Sequence, residues 1–162
     1  LAVLIQGLTD GATLLDVLNT AKSILRAEAN HEETLCSLEK AEELARTKIL
    51  PREAIEQLGQ GWIAEEALAI SVYCALVAKS FQHGIAVNHD GDSDSTGAIA
   101  GNLLGAMYGV KSIPNEWLAP LELRDVITEV AEDLYQFKDW EIGEYSTNHD
   151  LNQQIWRKYP GF

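Results

Sequence analysis

The chain has 162 residues, 46% of them apolar and 23% charged, which suits a folded domain with a sizeable core rather than a disordered segment. Lys and Arg number 12 against 25 Asp and Glu, for a net charge of −13. That balance excludes partners that recruit clustered cations, so neither nucleic acid nor an anionic membrane surface is expected.

The chain opens Leu1-Ala2-Val3-Leu4-Ile5, an apolar run without the basic start of a secretory leader. It falls far short of the roughly 20 residues that span a bilayer. The run reads as the tail of a helix whose earlier turns are absent, so the chain is expected to be a piece of something larger. From Thr13 onward Leu14, Leu15, Val17, Leu18, Ala21, Ile24 and Leu25 recur at three- and four-residue steps, the stripe of an amphipathic helix. Asn30 is the expected cap of a helix over residues 31–49, with Leu35, Leu38, Ala41, Leu44 and Ala45 facing inward. Pro51 ends that helix, and a short one over residues 52–58 runs into the loop signal Gly59-Gln60-Gly61-Trp62.

Residues 63–81 form the most apolar stretch and read as the central buried helix. A polar loop over 83–95 leads to a helix over 96–108. Pro114 begins a short turn containing Trp117, and residues 121–137 form another amphipathic helix. The closing stretch, 141–162, offers Ile155, Trp156 and Tyr159 for docking. No strand alternation persists, so the fold class is all-α, one domain or part of one. Cys36 and Cys74 lie in apolar helical settings and are expected to be small core residues. They are too few for a disulfide scaffold, which points to a reducing, cytoplasmic compartment.

The segment from Asn88 to Gly97, Asn-His-Asp-Gly-Asp-Ser-Asp-Ser-Thr-Gly, carries the strongest chemical signal. Carboxylates at the alternate positions Asp90, Asp92 and Asp94 repel one another unless a cation or hydrogen bonds neutralise them. Oxygen donors of this kind suit Mg²⁺, Ca²⁺ or Mn²⁺. An EF-hand loop would need Gly where Ser95 stands and Glu where Gly101 stands, so that reading fails. Two readings remain: a metal loop, or acids that cap the next helix and stay solvated, with Ser95 or Thr96 as the cap. The glycines Gly97, Gly101, Gly105 and Gly109 recur every four residues, and this stripe predicts backbone-close packing by a neighbouring helix.

The four histidines His31, His83, His89 and His149 show no metal-ligand spacing and read as surface or capping residues, His89 standing out by its loop. The tripeptide Asn148-His149-Asp150 repeats residues 88–90 without the acids that follow them, and reads as coincidence. Trp62 either stacks on a ligand base or plugs the core. Glu65 and Glu66 open a helix, where acids suit the dipole.

The stretch running from Asn88 through Ser95-Thr96-Gly97-Ala98-Ile99-Ala100-Gly101-Asn102-Leu103-Leu104-Gly105-Ala106 closely resembles the C-terminal metal motif of the ADP-ribosylglycohydrolases. That family takes in dinitrogenase reductase activating glycohydrolases and J1 crystallins. Gly59-Gln60-Gly61-Trp62-Ile63-Ala64-Glu65-Glu66-Ala67-Leu68 is similar to its second signature, and Trp117-Leu118-Ala119-Pro120-Leu121 and Tyr159-Pro160-Gly161 to its C-terminal part. The resemblance implies an all-α fold of which residues 1–162 are the C-terminal part of a single domain. It implies two divalent ions, Mg²⁺ or in some branches Mn²⁺, with Asp92, Asp94 and the Ser95 hydroxyl as ligands. Gly59, Gly61 and Trp62 would line the ADP-ribose cleft, and the substrate would be an ADP-ribosylated protein or a small ADP-ribosyl compound. The activity implied is metal-assisted hydrolysis at the anomeric carbon. The family's Ser/Thr-Asp-Asp motif is not found: Thr9-Asp10-Gly11 lacks the second Asp, and Glu32-Glu33 and Glu42-Glu43 read as helical surface. The chain is therefore expected to need a separate N-terminal fragment to complete the dimetal site, or else to be an inactive fragment or a crystallin-like relative without catalysis.

Overall fold

Helical periodicity carries over into three dimensions. In the computed structural model, which describes residues 1–85 and 89–160, the chain is 70% helical, with no strand among the described residues. Two compact units divide it, Leu1–Trp117 and Leu118–Phe162.

The first unit holds α1 (Ala2–Thr9), α2 (Leu14–Leu25), α3 (Glu32–Ala45), α4 (Pro51–Leu58), α5 (Ala64–Val77), α6 (Phe81–Ile85) and α7 (Ser93–Tyr108). Thr13 caps α2 by accepting from the Asp16 amide. Pro51 ends nothing directly; it is the first residue of α4, where its missing N–H leaves no hydrogen bond unmade. Asn30 does not cap α3. It sits at φ 57°, a left-handed position that asparagine tolerates, and His31 occupies the cap without a side-chain bond. The same helix stops at Ala45, short of residue 49, where the chain turns toward Pro51.

Helix α5 is central, packed against α3 on one side and α7 on the other, with α4 and α6 also touching it. Residues 69–75 are all buried, as expected of a helix that is apolar on every face. It ends at Val77 and α6 starts separately at Phe81, so the apolar run over 63–81 is two helices rather than one. Leu4, Leu18, Leu38, Ile70, Val72, Leu103 and Leu104 form the tightest part of the core. One ion pair is embedded at its edge, Lys22 of α2 to Glu42 of α3, both nearly enclosed. Cys74 lies in this core, but Cys36 is exposed, one step around α3 from its inward stripe.

The glycine stripe of α7 packs differently from its spacing. A Cβ at Gly97, Gly105 or Gly109 would meet nothing within 4 Å among the described residues, and at Gly101 it would meet only Ile85 Cδ1, at 3.3 Å. Instead α7 turns Thr96, Ala100, Leu103 and Leu104 toward the core.

A single helical turn, α8 (Asn115–Leu118), lies at the boundary. The second unit contains α9 (Arg124–Gln136) and α10 (His149–Lys158). Asn148 caps α10 by accepting from the Leu151 amide, so its tripeptide is a helix start. Of the residues expected to dock, Ile155 is buried and Tyr159 half-buried, while Trp156 is largely exposed. Asp133 is the unit's electrostatic hub: Lys158 pairs with it and with Glu129 (2.6 Å), and Tyr159 Oη donates to it at 2.6 Å. Beside this hub Val130, Leu134, Phe137, Trp140, Ile142 and Ile155 line an apolar cavity of about 230 Å³.

Candidate functional site

The two segments singled out in the sequence meet. Helix α4 ends on Gly59 at φ 125°, and Gly61 lies at φ 80°, backbone conformations that L side chains rarely adopt. Space excludes a side chain as well: a Cβ at Gly59 would lie 2.3 Å from Glu66 Cδ, and one at Gly61 2.8 Å from Thr96 Cγ2. Glu66, in the first turn of α5, turns back so that Oε2 accepts from the Gln60 and Gly61 amides, each at 3.0 Å. Trp62, 67% exposed, is no core plug; its Nε1 donates to Gln60 Oε1 at 3.2 Å.

From the loop held by Glu66, the Gln60 carbonyl accepts from the Asp92 amide at 2.8 Å. The approach is so close that a Cβ on Gly91 would lie 2.1 Å from that carbonyl oxygen. The acid loop is internally folded as well, with Gly91 N–H donating to His89 O (2.9 Å) and Ser93 N–H to Gly91 O (2.8 Å). Asp92 is the N-cap of α7, rather than Ser95 or Thr96; its Oδ1 accepts from the Ser95 amide at 3.3 Å, which Asp94 Oδ1 shares at 3.0 Å. A hydrogen bond with Asp94, then those from the Ser95 side chain and amide, hold the Asp92 carboxyl below its ordinary value.

Thr96 is fully buried beneath the loop. Its Oγ1 donates toward the Asp92 and Ser93 carbonyls (3.1 and 3.2 Å), and its own carbonyl accepts from Ser71 Oγ of α5 at 3.0 Å. With its proton committed to main chain, Thr96 Oγ1 is left as the acceptor for His89 Nε2 at 2.9 Å. That assigns the His89 proton to Nε2 and leaves Nδ1 buried without a hydrogen-bond partner among the described residues. His89 is thus a strut under the loop, while His31 accepts no cap bond and lies 2.7 Å (Nδ1) from Glu28 O.

The acids separate by environment. Asp90 is 93% exposed at the side chain and reaches Arg52 Nη2 at 3.4 Å, an ion pair on the rim of a cleft of about 130 Å³ lined by Arg52, Glu56, His89 and Asp90. Asp92, Asp94 and Ser95 instead gather at the start of α7, Asp92 as its N-cap and the other two in its first turn. Two carboxylates and a hydroxyl are hard oxygen donors that fit Mg²⁺ or Mn²⁺ in kind. They are too few to fill a shell of about six ligands, and among the described residues no group of three or more His, Cys, Asp or Glu could hold a metal ion. The Asn88 of this motif and the Gly161 of the closing one lie outside the described residues.

Sequence reading missed Glu66 as the residue that fastens the glycine loop to α5. The available signal was its third place in α5, from which a glutamate folds back onto amides preceding the helix.

The profile of the ADP-ribosylglycohydrolase family matches residues 1–142. Among similar proteins is an "ADP-ribosyl-[dinitrogen reductase] glycohydrolase" of Rhodospirillum rubrum, 55% identical over 38 residues, which are 24% of this chain and 13% of that protein. An "ADP-ribosylhydrolase ARH3" of Danio rerio is 30% identical over 131 residues, 72% of this chain and 35% of the relative. An "ADP-ribosylarginine hydrolase Tri1" of Pseudomonas putida is 29% identical over 82 residues, 49% of this chain and 22% of the relative. The chain thus spans well under half the length of these curated relatives. No solved structure matches. The chain belongs to the ADP-ribosylglycohydrolase family.

Proposed function

We propose that this chain, as a family member, is the C-terminal part of a single-domain, divalent-metal-dependent hydrolase. Its reaction is cleavage of the glycosidic bond that joins ADP-ribose to a protein side chain or to a small ADP-ribosyl compound. The observation that carries the reading is the 2.8 Å bond between the Gln60 carbonyl and the Asp92 amide, which sets the glycine loop beside the acid loop. Asp92, Asp94 and the Ser95 hydroxyl are the metal ligands of this chain, for two ions in all once the remaining ligands are supplied. Mg²⁺ suits the donors, and Mn²⁺ suits them too. When bound, the metal supplies a template for the ribose hydroxyls and an activated water.

The chain's own residues bind and orient. Gly59 and Gly61 line the cleft through a backbone that glycine lets turn tightly against Glu66 and Thr96. The exposed indole of Trp62, tethered through Nε1 to Gln60, offers a face on which a base can stack. The remaining ligands come from an N-terminal piece, either separate or earlier in a longer chain, and the enzyme works in the cytoplasm. Among the described residues no helix is long and apolar enough to cross a membrane.

A second reading, an inactive fragment or a non-catalytic relative, is favoured by the shortage of metal-holding side chains among the described residues. One experiment separates the two. The chain is incubated with an ADP-ribosylated protein or ADP-ribosyl compound and Mg²⁺, with and without the N-terminal piece of a family member, and free ADP-ribose is measured. Release that needs the piece and stops with EDTA is expected. Release indifferent to EDTA would overturn the metal reading. No release and no ADP-ribose binding, with the piece present, would establish the second reading.

A further inference from the structure

We propose that Glu66 is a positioning residue for the acid loop: it places Asp92 through the Gln60–Gly61 backbone without touching it. The proposal rests on the reading of Asp92 and Asp94 as metal ligands. A single carboxylate oxygen takes both loop amides at 3.0 Å, and hydrogen bonds to a charged acceptor are stronger than neutral ones. Orientation of the Gln60 peptide fixes where its carbonyl lies, and that carbonyl is the partner of the Asp92 amide. Three glycines keep the stack this tight. A Cβ on Gly59 would strike Glu66, one on Gly61 would strike Thr96, and one on Gly91 would strike Gln60 O. The fixed end of the chain of contacts is α5, the most enclosed helix of the unit, from whose first turn Glu66 projects. The other end is the start of α7, where the ligands stand. Gln in place of Glu66 keeps an oxygen that can accept from both N–H groups but removes its charge, so both bonds fall from charge-assisted to neutral strength.

The test is backbone amide hydrogen exchange by NMR on the whole chain, comparing the wild type with Glu66→Gln and with Glu65→Gln, which removes the same charge one residue away. Expected is exchange at the Asp92 amide about tenfold faster in Glu66→Gln, the effect of losing roughly one charge-assisted bond. Core amides such as Ile70 and Leu103 should keep their wild-type rates, and Glu65→Gln should change neither set. An unchanged Asp92 amide in folded Glu66→Gln, or one that speeds only in step with the core, overturns the proposal. Should that variant not fold, Glu66→Asp, which keeps the charge and shortens the reach, gives the same reading. A parallel Mn²⁺ titration keeps the two claims apart. Failure of the wild-type protein to bind Mn²⁺ in the presence of the N-terminal piece sinks the metal reading and leaves the exchange result to decide on Glu66.

Discussion

The amide of Asp92 donates to the carbonyl of Gln60 at 2.8 Å, across 92 − 60 = 32 residues of chain. One main-chain bond therefore joins the cap of α7 to the loop that ends α4. Because it uses backbone, no substitution at either position other than proline at 92 removes it directly; otherwise it is broken by crowding from a neighbour.

Gly91 is that neighbour. Alanine there would put a Cβ 2.1 Å from Gln60 O, whereas alanine at Gly105 meets nothing within 4 Å among the described residues. Gly91→Ala should destabilise by about 1–3 kcal/mol, as over-packing does, and Gly105→Ala should stabilise by about 1 kcal/mol through helix propensity. Urea unfolding of both variants checks the opposite signs; equal losses would restore the close-packing reading of the glycine stripe.

Asp92 and Asp90 should part ways in metal affinity. Asp92 caps α7 beside Asp94 and Ser95 of its first turn, while Asp90 pairs with Arg52 on the rim. In the completed protein, Asp92→Asn should weaken Mn²⁺ binding by more than the roughly tenfold typical of outer-shell changes, and Asp90→Asn should leave it near wild type. Isothermal titration measures both; matched small effects would remove Asp92 from the ligand set.

The two thiols should react unequally. Cys36 is exposed, and burial pushes the Cys74 thiol up to about 12. Ellman's reagent should label Cys36 promptly in the native protein and Cys74 only after denaturation. Prompt labelling of both would contradict the packing of α5.

The second unit should lose stability at both ends of the pH range. Lys158 and then Tyr159 hold the Asp133 carboxyl below its ordinary value of 3.8, so its contribution is present above that value and disappears as pH falls through the lower folded value. The Lys158 ammonium is raised above its ordinary 10.5, first by Asp133 and then by Glu129. Its contribution is complete below 10.5 and is lost as pH rises through the higher folded value. Proton NMR of the Trp140 indole should report both transitions, and Asp133→Asn should flatten the acid one. An acid transition that survives Asp133→Asn would assign it elsewhere.

Helices were legible where one face repeats: Val17, Leu18 and Ala21 in α2 and Leu38, Ala41 and Leu44 in α3 follow the 3.6-residue period and are buried. Where apolar residues surround the axis there is no period to end, and so the break between Val77 and Phe81 was hidden. Cys36 was misplaced for a related reason, since nearby Leu35 and Leu38 say nothing about which face a residue between them takes. At the acid loop, five consecutive residues from Asp92 to Thr96 can each cap a helix, and only the backbone geometry selects Asp92. The meeting of the two motifs was open to resemblance alone, because Gln60 and Asp92 join through main chain, and no side-chain pattern encodes that bond.

The contacts that join the two loops, from the Gly59 turn through Glu66, Ser71 and His89 to Thr96, fall between residues 59 and 96, while the rim pair of Asp90 reaches back to Arg52. The arrangement is thus a cassette. Its defining link, Gln60 to Asp92, closes a loop whose entropic cost grows only slowly with length, and a cut or a fusion joint ahead of Gly59 leaves these bonds on one side while parting Asp90 from Arg52.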